Sequence, residues 1–456
     1  MSYEQFIAGK RHLLGDFGFD PEWMPPGAFD FQEAMIQKSV RKGRIGVFAD
    51  TGLGKTLIQL AIAQNIVRKT NKRVLILTPL AVAFQFIDEA ARIGVDDIAH
   101  SRAGEINAKI IVCNYERLHL LNPDDFECVM LDESSILKNF QGKTRDQIVA
   151  FIRTVKYRFL STATPSPNDF IELGNSSEAL GYMGYMDMLT KFFKTNQNSS
   201  DSNNRNIGEK FYLKPHAEKD FFAWVNQWSI MVKRPSDLGF SDDSHILPPL
   251  HVIPHSVENE SPLVVGGQSS LFALPAVTMS EVREEQKSTV EARCTRAVEL
   301  AQGKTSVYWC NLNDESDILA SMDSGATEIR GAMSVDKKEE LLVAFANGEI
   351  KRLITKAKMT GMGLNWQHCN HTVFFPTWSY EQYYQAIRRF WRFGQRREVT
   401  CDVVVSSGQH RVLEALQQKT AKAIELYENL VAAANQDFQH KIKQFDKTVS
   451  LPDFLK

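Results

Sequence analysis

The segment Ala49-Asp50-Thr51-Gly52-Leu53-Gly54-Lys55-Thr56 constrains this chain more than any other. It follows the apolar run Ile45-Gly46-Val47-Phe48 and opens a helical pattern from Thr56 to Val67. A glycine-rich turn between strand and helix lets backbone N–H groups approach a phosphate, and the helix N-terminus adds positive potential. In such a turn Thr51, Gly52 and Gly54 cradle the phosphates, Lys55 reaches the terminal ones and the Thr56 hydroxyl ligates Mg²⁺. The general pattern has Gly where Ala49 stands, so the context carries the reading as much as the letters do.

A second acidic element follows roughly 75 residues later, at a spacing that suits a neighbouring strand of the same sheet. Asp132-Glu133 comes directly after Val129-Met130-Leu131. One carboxylate at a strand end can hold a metal ion, and its neighbour can orient and deprotonate an attacking water. Asp132 takes the first role in this reading and Glu133 the second.

Around these motifs, short apolar runs alternate with helical patterns, which predicts parallel sheets wrapped by helices. Val74-Leu75-Ile76-Leu77, Ile110-Ile111-Val112 and Tyr157-Arg158-Phe159-Leu160 read as further strands. A second series begins near Lys304, with strands at Val307-Tyr308-Trp309, Arg352-Leu353-Ile354, Val373-Phe374-Phe375 and Val403-Val404-Val405. Asn196 to Asn206 reads as a polar surface loop, and His410 to Phe445 as a packing helix. The formal net charge of −2 does not announce a nucleic-acid binder, so any such surface must be local. Candidates are Arg41-Lys42-Gly43-Arg44, Lys351-Arg352 and the run Arg388 to Arg397. Six scattered cysteines without a C-x-x-C pair fit a reducing compartment and argue against a zinc ribbon. His368-Cys369-Asn370-His371 reads as structure rather than a metal site. Neither a signal-peptide run at Met1 to Gly15 nor a membrane-length apolar stretch is evident.

Taken together, these residues resemble superfamily 2 helicases, and more narrowly the Swi/Snf-type DNA translocases. Gln32, in Phe29-Asp30-Phe31-Gln32, fits the family's adenine-reading glutamine, and the Ala at position 49 is the family's own form of the loop. Leu77-Thr78-Pro79-Leu80 and Val112-Cys113-Asn114-Tyr115-Glu116 are similar to its strand-end motifs, the first of which touches a DNA backbone. Ser161-Thr162-Ala163-Thr164-Pro165 looks like the motif coupling ATP to nucleic acid. The acidic motif departs from the usual Asp-Glu-Ala/Gly-His by reading Asp132-Glu133-Ser134-Ser135. In the second half, Gly361-Met362-Gly363-Leu364-Asn365 and Trp378 resemble family segments. Gln385 to Gln395 reproduces the spacing Gln-x-x-x-Arg-x-x-Arg-x-Gly-Gln.

The resemblance implies two tandem RecA-like P-loop domains of α/β class, with a short helical insertion and linker between them. The expected bounds are 1–240 for the first lobe, with an insertion at about 175–235, then 241–300 for a linker and 301–456 for the second lobe. It implies ATP and Mg²⁺ as cofactors, held by Gln32, Thr51, Gly52, Gly54, Lys55, Thr56, Asp132, Gly363, Asn365 and Gln385. Arg389 and Arg392 become arginine fingers. Duplex or branched DNA becomes the partner, touched by Thr78, Lys138, Thr164, Arg330, Thr355 and Trp378. The activity implied is an ATP-dependent DNA translocase or helicase. An RNA helicase, or a nucleic-acid-binding scaffold with weak ATPase activity, is the alternative. The compact form without accessory modules fits a cytoplasmic protein of bacterial or phage-infected cells.

Overall fold

The computed structural model describes residues 16–79, 82–138, 142–166, 169–195, 211–258, 285–360, 365–377 and 379–406. Short pieces within 264–269 and 413–432 are described as well. The chain divides into two compact units: Met1–Ser244 with Glu425–Lys456, and His245–Ile424.

The first unit is built on a seven-stranded sheet. In chain order its elements are α1 (Asp30–Lys42), β1 (Arg44–Ala49), α2 (Lys55–Thr70), β2 (Val74–Thr78), α3 (Ala83–Ile93), β3 (Ile98–Ser101), β4 (Ile110–Asn114) and β5 (Cys128–Asp132). There follow α4 (Lys143–Thr154), β6 (Tyr157–Ser161), α5 (Leu173–Leu180), α6 (Tyr185–Phe192), the hairpin β7 (Phe193–Thr195) and β8 (Phe211–Leu213), α7 (Glu218–Trp228) and β9 (Ser229–Val232). The strand order is β3-β4-β2-β5-β6-β1-β9, and every pairing in it is parallel.

A parallel sheet covered on both faces needs strands that are apolar on both sides, and these are. Along β2, Val74 and Ile76 face one core with α1, α2 and α3, while Leu75 and Leu77 face the other with α4 to α7. That period of two fixes the register, since a one-residue slip would exchange the faces. The segment expected as an insertion at about 175–235 is integral instead. Its helices supply Leu180, Met188, Phe221 and Trp228 to the second core, and β9 extends the sheet beside β1.

In the second unit a parallel sheet of order β10-β17-β16-β13-β15-β14 is formed by β10 (Leu250–Val257), β13 (Ser306–Trp309), β14 (Ala326–Glu328), β15 (Arg352–Thr355), β16 (His371–Phe374) and β17 (Val399–Ser406). The small hairpin β11 (Val264–Val265) and β12 (Gln268–Ser269) precedes α8 (Val290–Ala301). Helices α9 (Asn313–Met322), α10 (Val335–Ala346) and α11 (Tyr380–Ile387) complete the unit. One face of the sheet buries Tyr308, Ile354, Val373 and Val404 under α8. Elsewhere an aromatic bed forms, with Trp309 stacked on Trp366 at 5.7 Å and both rings against Phe390.

The observed bounds differ from the expected ones. Leu250–Val257, expected in the linker, is a strand paired with β17 along its whole length. Residues 428–429 and 431–432 are helical, while most of the expected packing helix lies outside the described residues; Val431 packs into the first unit's core and Glu428 pairs with Lys233 at 2.9 Å. The described residues at 428–432 therefore belong with the first unit rather than with the second. The Asn196 to Asn206 segment lies outside the described residues.

Candidate nucleotide site and nucleic-acid interface

The carboxyl ends of β1, β6, β5 and β2 lie side by side in the sheet, and the predicted motifs sit on the turns that leave them. At the end of β1, Gly52 and Gly54 adopt φ of +95° and +80°, which other residues rarely adopt. Gly54 has a second constraint, because an added Cβ would lie 2.3 Å from Gln32 Nε2. The Thr51 N–H donates to Asp50 Oδ1 at 2.6 Å. Lys55 opens α2, and its Nζ donates to the carbonyls of Ala49 (3.0 Å) and Asp50 (3.4 Å), folding the loop around the ammonium. Thr56 follows on the first turn, half-buried. Gln32 is buried on α1. Its Nε2 donates to the Leu53 carbonyl at 3.0 Å and its Oε1 accepts from the Phe29 N–H at 3.0 Å, so the expected base-reading side chain braces the phosphate loop directly.

At the end of β5, Asp132 is buried and both its oxygens accept hydrogen bonds. Gln59 Nε2 donates to Oδ1 at 2.9 Å and Thr78 Oγ1 donates to Oδ2 at 3.2 Å. The Tyr115 hydroxyl donates to the Asp132 carbonyl at 2.6 Å. Burial, and then the neighbouring Glu133 charge, push the Asp132 carboxyl up to about 6, against the opposing pull of Gln59, Lys55 and Thr78. Glu133 stands at φ +51°, a left-handed conformation that costs on the order of 1–3 kcal/mol for a residue with a side chain. Thr162 Oγ1 donates to Glu133 Oε2 at 3.1 Å and accepts from the Thr164 N–H at 3.1 Å, joining the acidic pair to the turn after β6. The Asp132 carboxylate at the end of β5 and the Thr56 hydroxyl on the first turn of α2 are hard oxygen donors of the kind Mg²⁺ takes.

In the second unit Arg389 follows α11 and is buried, and its carbonyl accepts from the Trp366 N–H at 3.1 Å, seating it on the aromatic bed. Arg392 is half-buried one turn further on, and Gln385 is half-buried on α11. Gln395 staples the turn: its Nε2 donates to the carbonyls of Gln367 (3.0 Å) and Phe390 (3.1 Å), and its Oε1 accepts from the N–H groups of Arg396 and Arg397. Asn365 is exposed and bonds to Gln367. Gly363 and Trp378 lie outside the described residues.

Several expected nucleic-acid contacts fall elsewhere. Thr78 is fully buried and its hydroxyl serves Asp132, so it is a member of the acidic site rather than a surface contact. Thr355 is fully buried as well. Arg330 is exposed, but its guanidinium is paired with Asp317 (2.5 Å) and Glu328 (2.7 Å). Thr164 is buried beside Thr162. Lys138 is half-buried, and burial pulls its ammonium below the ordinary lysine range, with Glu172 opposing. The basic clusters are partly structural too. Arg41 pairs with Asp20, Lys42 with Asp16, and Arg352 holds Asp323 with two bonds. His371 bonds to Ser306 and Asp402, and among the described residues no cluster suits a metal by His, Cys, Asp or Glu count.

Gln59, Tyr115 and Thr162 were not named as site residues by sequence. Gln59 had a signal, since it lies one turn after Lys55 on the face of α2 that meets the sheet.

A phosphate loop and an acidic pair at strand ends of one parallel sheet, with a second parallel sheet further along the chain, form a framework suited to nucleotide hydrolysis. Comparison with known proteins agrees. Residues 29–172 match the model "DEAD/DEAH box helicase" and residues 289–394 match "Helicase conserved C-terminal domain". Together these matches place the chain among the superfamily 2 helicases. The DNA repair protein RAD5 of Yarrowia lipolytica is 33% identical over 96 residues, which are 20% of this chain and 9% of that protein. The chain thus spans only a small part of that relative's length. A Dbp5 variant of S. cerevisiae, solved with RNA and ADP BeF3, is similar in fold, with a TM-score of 0.54 and 14% identity over 91% of this chain and 94% of that one. At that identity the likeness concerns the fold alone.

Proposed function

We propose that this helicase-family ATPase is a translocase on duplex or branched DNA, of Swi/Snf type. The observation that carries its ATP chemistry is the joint placement of Lys55, Asp132 and Glu133 at the ends of β1 and β5. The choice of DNA is supported by the Gln385 to Gln395 spacing and by the partial likeness to a DNA repair protein.

In this reading Lys55 and the loop N–H groups hold the phosphates, and Gln32 reads the base from its place against the loop. Thr56 and Asp132 would hold Mg²⁺, which when bound neutralises phosphate charge. Glu133, fixed by Thr162, orients the attacking water and accepts its proton. Arg389 and Arg392 neutralise charge on the transferring phosphoryl, a role worth roughly 10³–10⁵ in rate. Nucleic acid is held mainly by backbone contacts, so binding is largely insensitive to sequence and weakens with salt.

Phosphate release measured at fixed salt with single-stranded, duplex and forked DNA and with RNA tests this. Duplex or forked DNA is expected to stimulate most, and RNA as the stronger activator would reverse the substrate. Lys55→Ala and Glu133→Gln are expected to abolish turnover while circular dichroism stays unchanged. Wild-type rates in either would remove the site assignment, and an inactive wild-type chain would favour a binding scaffold.

A further inference from the structure

The Ser134-Ser135 sequence leaves the acidic motif without the histidine its family resemblance leads one to expect, yet Asp132 is tied to its surroundings through other groups. Two of the hydroxyls that reach it come from neighbouring strand ends. Thr78, the last residue of β2, donates to the carboxylate, and Tyr115, directly after β4, donates to the carbonyl. Both side chains are buried, so neither presents itself to a ligand.

The same two strand ends are knitted together one layer further out. Asn114 Nδ2 donates to the Pro79 carbonyl at 3.2 Å, directly after Thr78. Asn114 Oδ1 accepts from Arg117 Nη1 at 3.4 Å and lies 3.3 Å from His100 Nε2. The Arg102 guanidinium lies over the Phe84 ring at 5.4 Å, and that ring meets His100 edge-on at 5.6 Å. A cluster of two arginines, His100 and the Phe84 ring, with Glu105 bonded to Ser101 and the Arg102 N–H beside it, is therefore continuous through Asn114 with the two residues that grip Asp132. Tyr115 fixes the carbonyl of the peptide that leads into Glu133, the residue whose backbone is left-handed. A small shift of either strand end alters the carboxylate of one catalytic group and the backbone of the next.

We propose that Thr78 and Tyr115 are positioning residues that couple nucleic acid on the Phe84, His100, Arg102 and Arg117 face to ATP turnover, by setting Asp132 and the Asp132–Glu133 peptide. The inference rests on the proposed function, because it presupposes turnover that nucleic acid stimulates.

Thr78→Val and Tyr115→Phe each remove one hydroxyl and keep the shape, and Thr78→Ser restores a hydroxyl. For each, the ratio of turnover saturated with a duplex DNA oligonucleotide to turnover without it is measured. The affinity for the same duplex is measured by fluorescence anisotropy, and an RNA hairpin serves as a second probe. The ratio is expected to fall by roughly tenfold in Thr78→Val and Tyr115→Phe, within the span that coupling residues show, and to recover in Thr78→Ser. Duplex affinity is expected to stay within about twofold in all three. A partly inactive preparation lowers both rates alike and leaves the ratio unmoved, so a purely structural role gives an unchanged ratio and overturns the proposal. A ratio that falls together with duplex affinity overturns it too, because the hydroxyls would then be acting on nucleic acid binding itself. A wild-type chain that neither probe stimulates sinks the proposed function, whereas a stimulated wild type with equally stimulated variants sinks only the coupling.

Discussion

Asp132 shows how one buried carboxylate links chemistry to stability. Its folded-state value near 6 lies above the 3.8 of an unperturbed aspartate, so the folded state binds the proton more tightly than the unfolded state does. Stability from this group is therefore highest below about pH 4 and falls as pH rises through 6. Asp132→Asn removes that titration. Without metal or nucleotide, the difference in unfolding free energy between wild type and Asp132→Asn is expected to drift against the wild type from pH 4 to 7. Urea unfolding across that range measures it, and a flat difference would mean that Gln59 and Thr78 already compensate the charge. The same substitution is expected to abolish turnover. Sequence alone gave Lys55, Asp132 and Glu133 their places at a helix start and a strand end, because those places are local. Gln59 and Tyr115 were harder to find, since their importance depends on which strands are neighbours.

Among the elements, the phosphate loop is held by a close approach as much as by its own turn. Gly54→Ala brings a Cβ into steric conflict with Gln32 Nε2, at a residue with φ +80°. It is expected to cost about 1 kcal/mol or more in stability and to weaken binding of a fluorescent ATP analogue, read by anisotropy. The runs at β1, β2, β4, β5 and β6 were legible because each is apolar on both faces. Other strands were not. β10 carries Pro254 and two histidines and is largely exposed, so its residues give no strand pattern until β17 pairs with them. β3 is short and interrupted by His100. β9 is only four residues long and follows an aromatic-rich helix without a break, so it gives no strand pattern of its own. The pairing of the basic runs was not legible either, since Arg41, Lys42 and Arg352 are held by acidic partners that lie some twenty to thirty positions away.

For the molecule as a whole, the two-unit division was legible in the doubled strand and helix series, but the return of the chain to the first unit was not. A helical spacing says which face is apolar and nothing about which core receives it. Val431→Asp sets a charge among residues of the first unit's core and is expected to cost roughly 2–4 kcal/mol. Thermal unfolding followed by loss of ATP-analogue binding reads that unit specifically, and an unchanged midpoint would detach Val431 from it. The nesting has a bearing on synthesis as well. Domains usually mature in the order in which they leave the ribosome. Here the nucleotide-binding unit begins first, yet Val431 can join its core only after the whole second unit has been translated.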